Sequence, residues 1–557
     1  SRYRDVDHAN LTLEEMKQTT CDMDLLDAQL AEMNELAAKA EEAGEAEDPE
    51  RVKELFEETL DGIERLSTCY SLSQLTYYQN IFDAENQEIQ AEFLDEVVDY
   101  GDRLNVAIRE LCKSPYKDTM IELMNAAQVE AYLDYEEVTD EEKELTAKEN
   151  SLEQEYEQLS SEEFYYEYDG EEWDLNRLNM EADEMDHDAV VEIYQGICKQ
   201  RNDAVGEVFV ELVDVRNEIA KLNGYDNYAE YAYDAVYVRD YTLNETRDLL
   251  KEIRKHVVPV VADMKDVLYD TDYMRLYSEG QGIESTSIIE QIGPYLEEID
   301  PELKDTQEHF LKYQLYDMDT SQNKANTAFT MRLSYFNDGF IYGQMYDNYL
   351  DYYNVIHEFG HYNNTYRSAD TFLESCNNID VSEIHSQGMQ MLFYDYYDDL
   401  LGEDIGDIYA FYDVYSMADN AISTALVSEF EISAYENPDM TLEELNKLYL
   451  QLSRKYGMQY DSQIKELYTW SEVPHIFTSP CYYFSYLTSA FSSLDILTMA
   501  EEDRHEAVET YMTLTTIPGY VPYCSAVEYA GLRDIFEDGV AQDIMEETAS
   551  ILGVKGY

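Results

Sequence analysis

Positive charge is scarce in this chain. Its 557 residues include 37 Lys and Arg against 121 Asp and Glu, a formal net charge of −84. A surface of that sign repels nucleic acid and anionic membranes, and no basic patch interrupts it. Cysteines number seven and none forms a C-x-x-C pair, which argues against a thiolate metal cluster. The odd count leaves at least one of them unpaired within a monomer. Long apolar runs are missing too: none approaches the ~18 residues of a membrane-spanning helix. No basic stretch followed by an apolar one marks a signal peptide. Glycine-rich phosphate loops of the Walker or Rossmann kind are missing, as is the elbow of a Ser or Cys hydrolase. Trp is rare, with 2 residues, whereas Tyr reaches 52. Runs such as Phe164-Tyr165-Tyr166-Glu167-Tyr168 set tyrosine among acids, which suits wet, half-buried faces.

What is present is enough to build a large core. Hydrophobic residues make up 45% of the chain. The length is too great for one simple core and implies two or three subdomains. The acidic surplus is read three ways: solubility, steering of neutral or cationic partners, or adaptation to high salt. The first residue is Ser rather than Met. The expectation is a processed or trimmed chain acting outside the cell or at its surface, with an acidic cytoplasmic protein as the alternative.

From Asn10 to about Gly170 the pattern is of long helices, with no fixed-period repeat. Thr12 and Glu15 have the spacing of a capping box. Asp48-Pro49 reads as a helix start and Ser114-Pro115 as a break. Glu136 to Glu163 reads as a solvated amphipathic helix. From Asp186 helical periodicity runs through Ile193, Ile197, Leu212, Val215 and Ile219 to a stop at Gly224. Thr242 is placed to cap the next helix. Ala328 to Tyr335 breaks the helical rule by alternating, and Asn337-Asp338-Gly339 signals a turn before Phe340-Ile341-Tyr342. A short β-hairpin is expected there. Its edge strand is suited to aligning a peptide by main-chain hydrogen bonds, or simply to supporting the helix that follows. A further helix is expected from near Asp380, with Glu383, Gln387, Gln390 and Met391 on one face.

The helix after the hairpin carries His357-Glu358-Phe359-Gly360-His361. Imidazoles four residues apart point the same way from a helix. They continue an apolar stripe through Leu350, Tyr353 and Ile356, so they are not a wet face. A buried face carrying two imidazoles and a carboxylate needs partners, and a metal ion supplies them. This is the H-E-x-x-H arrangement, with Glu358 as the base. A catalytic zinc usually takes three protein ligands. Glu383, 22 residues past His361, is the candidate third, with Glu374 as its competitor. Asp380 and Glu383 also have the spacing of a capping-box variant. The oxyanion of peptide hydrolysis needs further donors, and His475, Tyr483 and Tyr486 form the best cluster for that task.

Taken together, these motifs resemble the thimet oligopeptidase and oligoendopeptidase F family of zinc metallopeptidases. Ser382-Glu383-Ile384-His385-Ser386-Gln387 is similar to the segment holding that family's third zinc ligand. Thr327-Ala328-Phe329 resembles its Gly-Ala-Phe substrate strand, and Asp351 stands where it carries an acid. Gly224-Tyr225-Asp226-Asn227-Tyr228 and Arg239-Asp240-Tyr241 are similar as well. The run from His475 to Tyr486 resembles the segment that contacts substrate and stabilises the oxyanion. Gln390, Thr327 and Cys481 depart from the pattern, which usually has Glu, Gly and a bulky apolar residue there. The resemblance implies a mainly α fold, two helical subdomains around a deep substrate channel with the hairpin beside the metal helix. It divides the chain into an N-terminal helical region, 1–185, and a catalytic region, 186–557. It implies one zinc per chain, with ligands His357, His361 and Glu383, and substrate contacts at Ala328, Phe329 and Tyr482. The expected activity is endoproteolysis of short peptides. A carboxypeptidase or dipeptidyl carboxypeptidase of the wider helical group is the first alternative. A non-catalytic acidic protein that binds peptides or cations is the second.

Overall fold

Side-chain caps set the helix starts where the sequence places them. Asp48 accepts from the backbone N–H of Arg51, with Pro49 in the first turn, and a helix runs Pro49–Gln79. Thr12 accepts from the N–H of Glu15. Thr242 and Glu245 form a reciprocal capping box. Gly224 takes a φ of +85°, directly after the helix His187–Leu222 and its cap Asn223. The computed structural model describes residues 6–368 and 378–557. Among the described residues helices dominate, with two small sheets, which is the mainly α class expected. Among the described residues no helix is long and apolar enough to cross a membrane.

Two compact units divide the chain, and each is assembled from separated segments. One comprises Ser1–Glu137, Met274–Cys376 and Thr515–Tyr520. The other comprises Val138–Tyr273, Asn377–Leu514 and Val521–Tyr557. Residue 186, where the family-like motifs begin, is a different division from the compact one. The helix Asp140–Ser160 lies before residue 186 but packs on His187–Leu222, so it shares that helix's unit.

In the first unit, Met23–Ala43, Pro49–Gln79 and Ala84–Lys113 pack around Leu26, Leu30, Leu55, Ile63, Leu104 and Ile108. The unit also holds a three-stranded sheet. Ala328–Leu333 pairs antiparallel with Asp338–Gly343, with Thr330 opposite Ile341. Tyr316–Asp317 pairs parallel on the other side of Asp338–Gly343. Ala328–Leu333 is therefore an edge strand. The turn lies earlier than expected. A tight helical turn at Ser334–Phe336 ends on Asn337 at φ +48°, while Asp338 and Gly339 already belong to the second strand. Asn337 tolerates the left-handed backbone that the turn needs.

The second unit is built on His187–Leu222, Glu403–Glu436 and Phe484–Glu502, with Ile379–Leu392 packed along the last of these. It also contains a small hairpin that the sequence reading passed over, Tyr166–Tyr168 with Glu171–Trp173. Its first strand alternates tyrosine with glutamate and its second reads Glu171-Glu172-Trp173, so the acids hide the pattern within a charged run.

The helix Asp351–Arg367 packs against both long strands of the sheet in its own unit. Its first residue, Asp351, is fully buried. It accepts from the Ser285 hydroxyl at 2.7 Å, from the N–H of Tyr346 at 3.0 Å and from that of Asp347 at 2.7 Å. A carboxylate at a helix start also complements the helix dipole. Asp351→Ala strands these donors, and a loss of about 2–4 kcal/mol in unfolding free energy is expected in urea melts. Asp351→Asn, which keeps the acceptor oxygen, should lose less.

Candidate metal centre and the segments around it

His357 and His361 stand one turn apart on Asp351–Arg367, both half-buried. Their ring centroids are 5.1 Å apart and the rings are nearly perpendicular, at 80°. Glu383 lies in the first turns of Ile379–Leu392. Ligating atoms of His357, His361 and Glu383 all lie within 4.8 Å of one another. Two neutral nitrogens and one anionic oxygen at that spacing fit a zinc-type ion, whose bonds to such donors are ~2 Å long. Glu374, the competing ligand, lies outside the described residues.

Glu358 is buried, at 6% exposure. The Thr330 hydroxyl lies 2.8 Å from its Oε2 and 3.0 Å from its backbone carbonyl. Thr330 sits on the edge strand two residues after Ala328, which is exposed, and one after Phe329, which is half-buried. The strand and the carboxylate are thus joined directly. This contact was not anticipated, although strand alternation puts Ala328, Thr330 and Arg332 on one face.

The Glu383 helix is anchored by a buried carboxylate one turn before the candidate ligand. Asp380 accepts from the Tyr241 hydroxyl at 2.8 Å and the Ser485 hydroxyl at 2.5 Å. The Arg239 guanidinium is 3.5 Å from it. Its backbone carbonyl accepts from Thr488 and Ser489, each at 2.9 Å. The capping-box alternative is therefore set aside: Asn378 caps the helix without a side-chain bond, and Asp380 points into the interior. Further along, Gln390 donates to the buried Asp413 at 2.7 Å, and Tyr397 donates to the other oxygen of Asp413 at 2.9 Å. A glutamate at position 390 would instead face a carboxylate. The amide is what that neighbour requires.

His475, Tyr482, Tyr483 and Tyr486 do come together. Ring centroids lie 5.7 Å, 5.3 Å and 5.8 Å from His475 to the three tyrosines in turn. The Tyr486 hydroxyl is 3.3 Å from His475 Nε2. Burial lowers the pKa of His475, favouring the neutral imidazole. Burial raises all three tyrosines, which therefore keep their protons.

This segment is clamped by the buried groups Arg216, Arg239 and Glu431, a role the sequence does not show. Arg216 is fully buried on His187–Leu222 and donates to the carbonyls of Ile476, at 3.2 Å, and Phe477. Glu149 and Glu153 balance its charge. Arg239 donates to the Cys481 carbonyl at 2.9 Å. Glu431 accepts from the Cys481 N–H at 2.8 Å. Cys481 itself is held at φ +62°, an unfavourable backbone for a residue with a β-carbon, and bonds on both sides fix it there. One signal for Arg216 was available: it interrupts the apolar face between Leu212, Val215 and Ile219.

Comparison with protein-family profiles returns no match, and comparison with curated proteins returns none. Comparison with solved structures does find likeness. A structure described as that of a candidate oligoendopeptidase F has a TM-score of 0.75 at 22% identity, covering 98% of this chain and 99% of that one. One of PZ peptidase A with an inhibitor has a TM-score of 0.74 at 22% identity, covering 97% and 99%. One of a candidate oligoendopeptidase F from Bacillus anthracis strain Ames has a TM-score of 0.72 at 22% identity, covering 97% of each chain. The chain shares the fold of these proteins over nearly its whole length.

Burial raises the Glu431 carboxyl from its ordinary value of 4.5 to about 7, against the opposing pull of the Cys481 N–H and the two arginines. The folded state thus holds a proton on this group that the unfolded chain releases near pH 4.5. Its ionisation opposes folding as pH rises from 4.5 and stops adding to that effect above about 7. Glu431→Gln keeps an acceptor for Cys481 and removes the titration. Its stability should fall less steeply across that window than the wild type's, by up to about 1.4 kcal/mol per pH unit. Urea midpoints measured from pH 4.5 to 8 check this, and parallel curves would mean that Glu431 ionises normally.

Proposed function

We propose that this chain is a zinc-dependent peptidase that cleaves internal bonds of short peptides. The observation that carries the reading is the set of His357, His361 and Glu383 donor atoms within 4.8 Å of one another, with the buried Glu358 on the same helix as the two histidines. The shared fold with proteins named oligoendopeptidase F and PZ peptidase A supports it.

A zinc ion held by the two imidazoles and the Glu383 carboxylate would supply Lewis acidity toward water and toward a peptide carbonyl. Glu358 acts as general base, taking a proton from the attacking water and delivering it to the leaving amine. Thr330 holds one oxygen of that carboxylate in place. The exposed Ala328 and its neighbour Phe329 offer an extended peptide the free main-chain groups of an edge strand. Tyr483 and Tyr486 are protonated donors for the oxyanion, with neutral His475 beside them, and Tyr482 contacts substrate side chains. The surplus of 121 acids over 37 bases favours neutral or cationic peptides and disfavours nucleic acid as a partner.

Glu358→Gln is expected to keep its zinc by elemental analysis and to lose at least ~100-fold in turnover of a quenched peptide of about ten residues. Wild-type turnover in this variant would remove Glu358 from the base role. Glu383→Ala should lower zinc occupancy, and full occupancy would place the third ligand elsewhere. Amidating the substrate's C-terminus separates the exopeptidase alternative, since only a carboxypeptidase loses its substrate.

A further inference from the structure

Cys21 and Cys69 are 48 residues apart in sequence, yet their sulfur atoms lie 2.6 Å from one another. Cys21 is half-buried on the short connection just before Asp22, which caps Met23–Ala43. Cys69 is buried in the body of Pro49–Gln79, at 6% exposure. No His, Asp or Glu among the described residues completes a metal site with them. We propose that Cys21 and Cys69 are a built disulfide site, oxidised by a small-molecule disulfide such as oxidised glutathione, and that the bond pins the N-terminal segment to Pro49–Gln79.

The surroundings favour exchange. The Cys21 thiol donates toward Cys69, which lowers the pKa of Cys69, and Arg65 adds to the effect. Cys69, the thiol held low, is the attacking group: its sulfur attacks one sulfur of glutathione disulfide, the glutathione S–S bond breaks, and one glutathione thiolate leaves. Cys21, whose pKa is raised by the bond it donates to Cys69, then gives up its proton, attacks the Cys69 sulfur of the mixed disulfide and expels the second glutathione thiolate. Two protein thiols are oxidised, one glutathione disulfide is reduced to two thiols, and the two protons pass from protein to glutathione. In a reducing compartment the same exchange runs backwards.

Pinning this stretch has a structural consequence within the same unit. Thr68, beside Cys69, accepts from the N–H of Tyr335 at 3.1 Å. Arg65, one helical turn earlier, lies 4.6 Å over the Tyr335 ring and donates to its hydroxyl. Tyr335 belongs to the turn joining Ala328–Leu333 to Asp338–Gly343. The bond therefore stiffens the helix on which the hairpin turn rests.

The test uses the whole protein and does not depend on turnover, so it stands apart from the proposed activity. The purified chain is equilibrated with oxidised glutathione, alkylated, digested without reduction and mapped by mass spectrometry. The expected result is one cross-linked peptide joining Cys21 to Cys69, two fewer alkylatable thiols, and a Tm several degrees above that of the same sample treated with dithiothreitol. Cys21→Ser should show neither the cross-link nor a redox-dependent Tm. Full alkylation of both cysteines after oxidation, glutathione retained on either one, or pairing with any other cysteine would overturn the site. A cross-link that leaves Tm unchanged would overturn the pinning. The wild-type map decides the matter even if Cys21→Ser folds poorly.

Discussion

A desolvated carboxylate at the start of one helix governs the geometry of the second unit. Asp380 is 2% exposed, and an ion taken out of water to that extent demands partners. It finds them in Arg239, Tyr241 and Ser485, which come from two separate stretches of chain. Its carbonyl is met by Thr488 and Ser489. The bonds from Ser485, Thr488 and Ser489 fix Ile379–Leu392 against Phe484–Glu502, and so fix Glu383 relative to Tyr482, Tyr483 and Tyr486. A hydrophobic contact of the same area would allow the helices to slide, whereas this network has one register. Substituting Asp380 would leave Arg239 as an uncompensated buried cation, a costlier defect than the loss of the pair itself.

The scarcity of basic residues gives these placements added meaning. With 121 acids available, a surface cation finds a counter-charge almost anywhere. Arg216 and Arg239 are not used that way: both are buried, and both donate to backbone carbonyls of the His475–Tyr486 segment. Guanidinium suits the task because its fork of donors can satisfy several carbonyls and carboxylates at once. The aromatic walls around Arg239, from Tyr233, Tyr237, Tyr241 and Phe484, stabilise the charge without adding acids. Glu431 between the two arginines holds Cys481 in a backbone state it would not choose alone.

Much of the candidate site was legible in the sequence because it is local. The spacing of His357, Glu358 and His361 carries its own geometry on a helix. The hairpin announced itself through alternation, and the helix from Asp380 through periodicity. What escaped was non-local. The turn was misplaced because Asn337-Asp338-Gly339 has turn composition, while the tight helical turn at Ser334–Phe336 has little of it. Asp380 has the spacing of a cap in the sequence, while its partners Tyr241 and Ser485 lie 139 and 105 residues away. Arg216 and Glu431 were passed over for the same reason. An isolated charge on an apolar helix face signals a buried partner without saying which.

Thr330 shows how the two kinds of information meet. On a strand it is an ordinary β-branched residue, and nothing in its neighbours marks it. Once the strand lies along the helix, its hydroxyl reaches both the carboxylate and the carbonyl of Glu358. A buried carboxylate with a well-placed donor is held in orientation. In the proposed reaction that orientation is what a general base needs. The same strand leaves its outer edge unpaired. A peptide added to that edge would sit in a register set by Ala328 and Phe329, and Thr330 would carry that register to the base through one hydrogen bond. In the proposed reaction, substrate alignment and base alignment would both follow from one piece of secondary structure, and a shift of the strand along the helix would disturb them together.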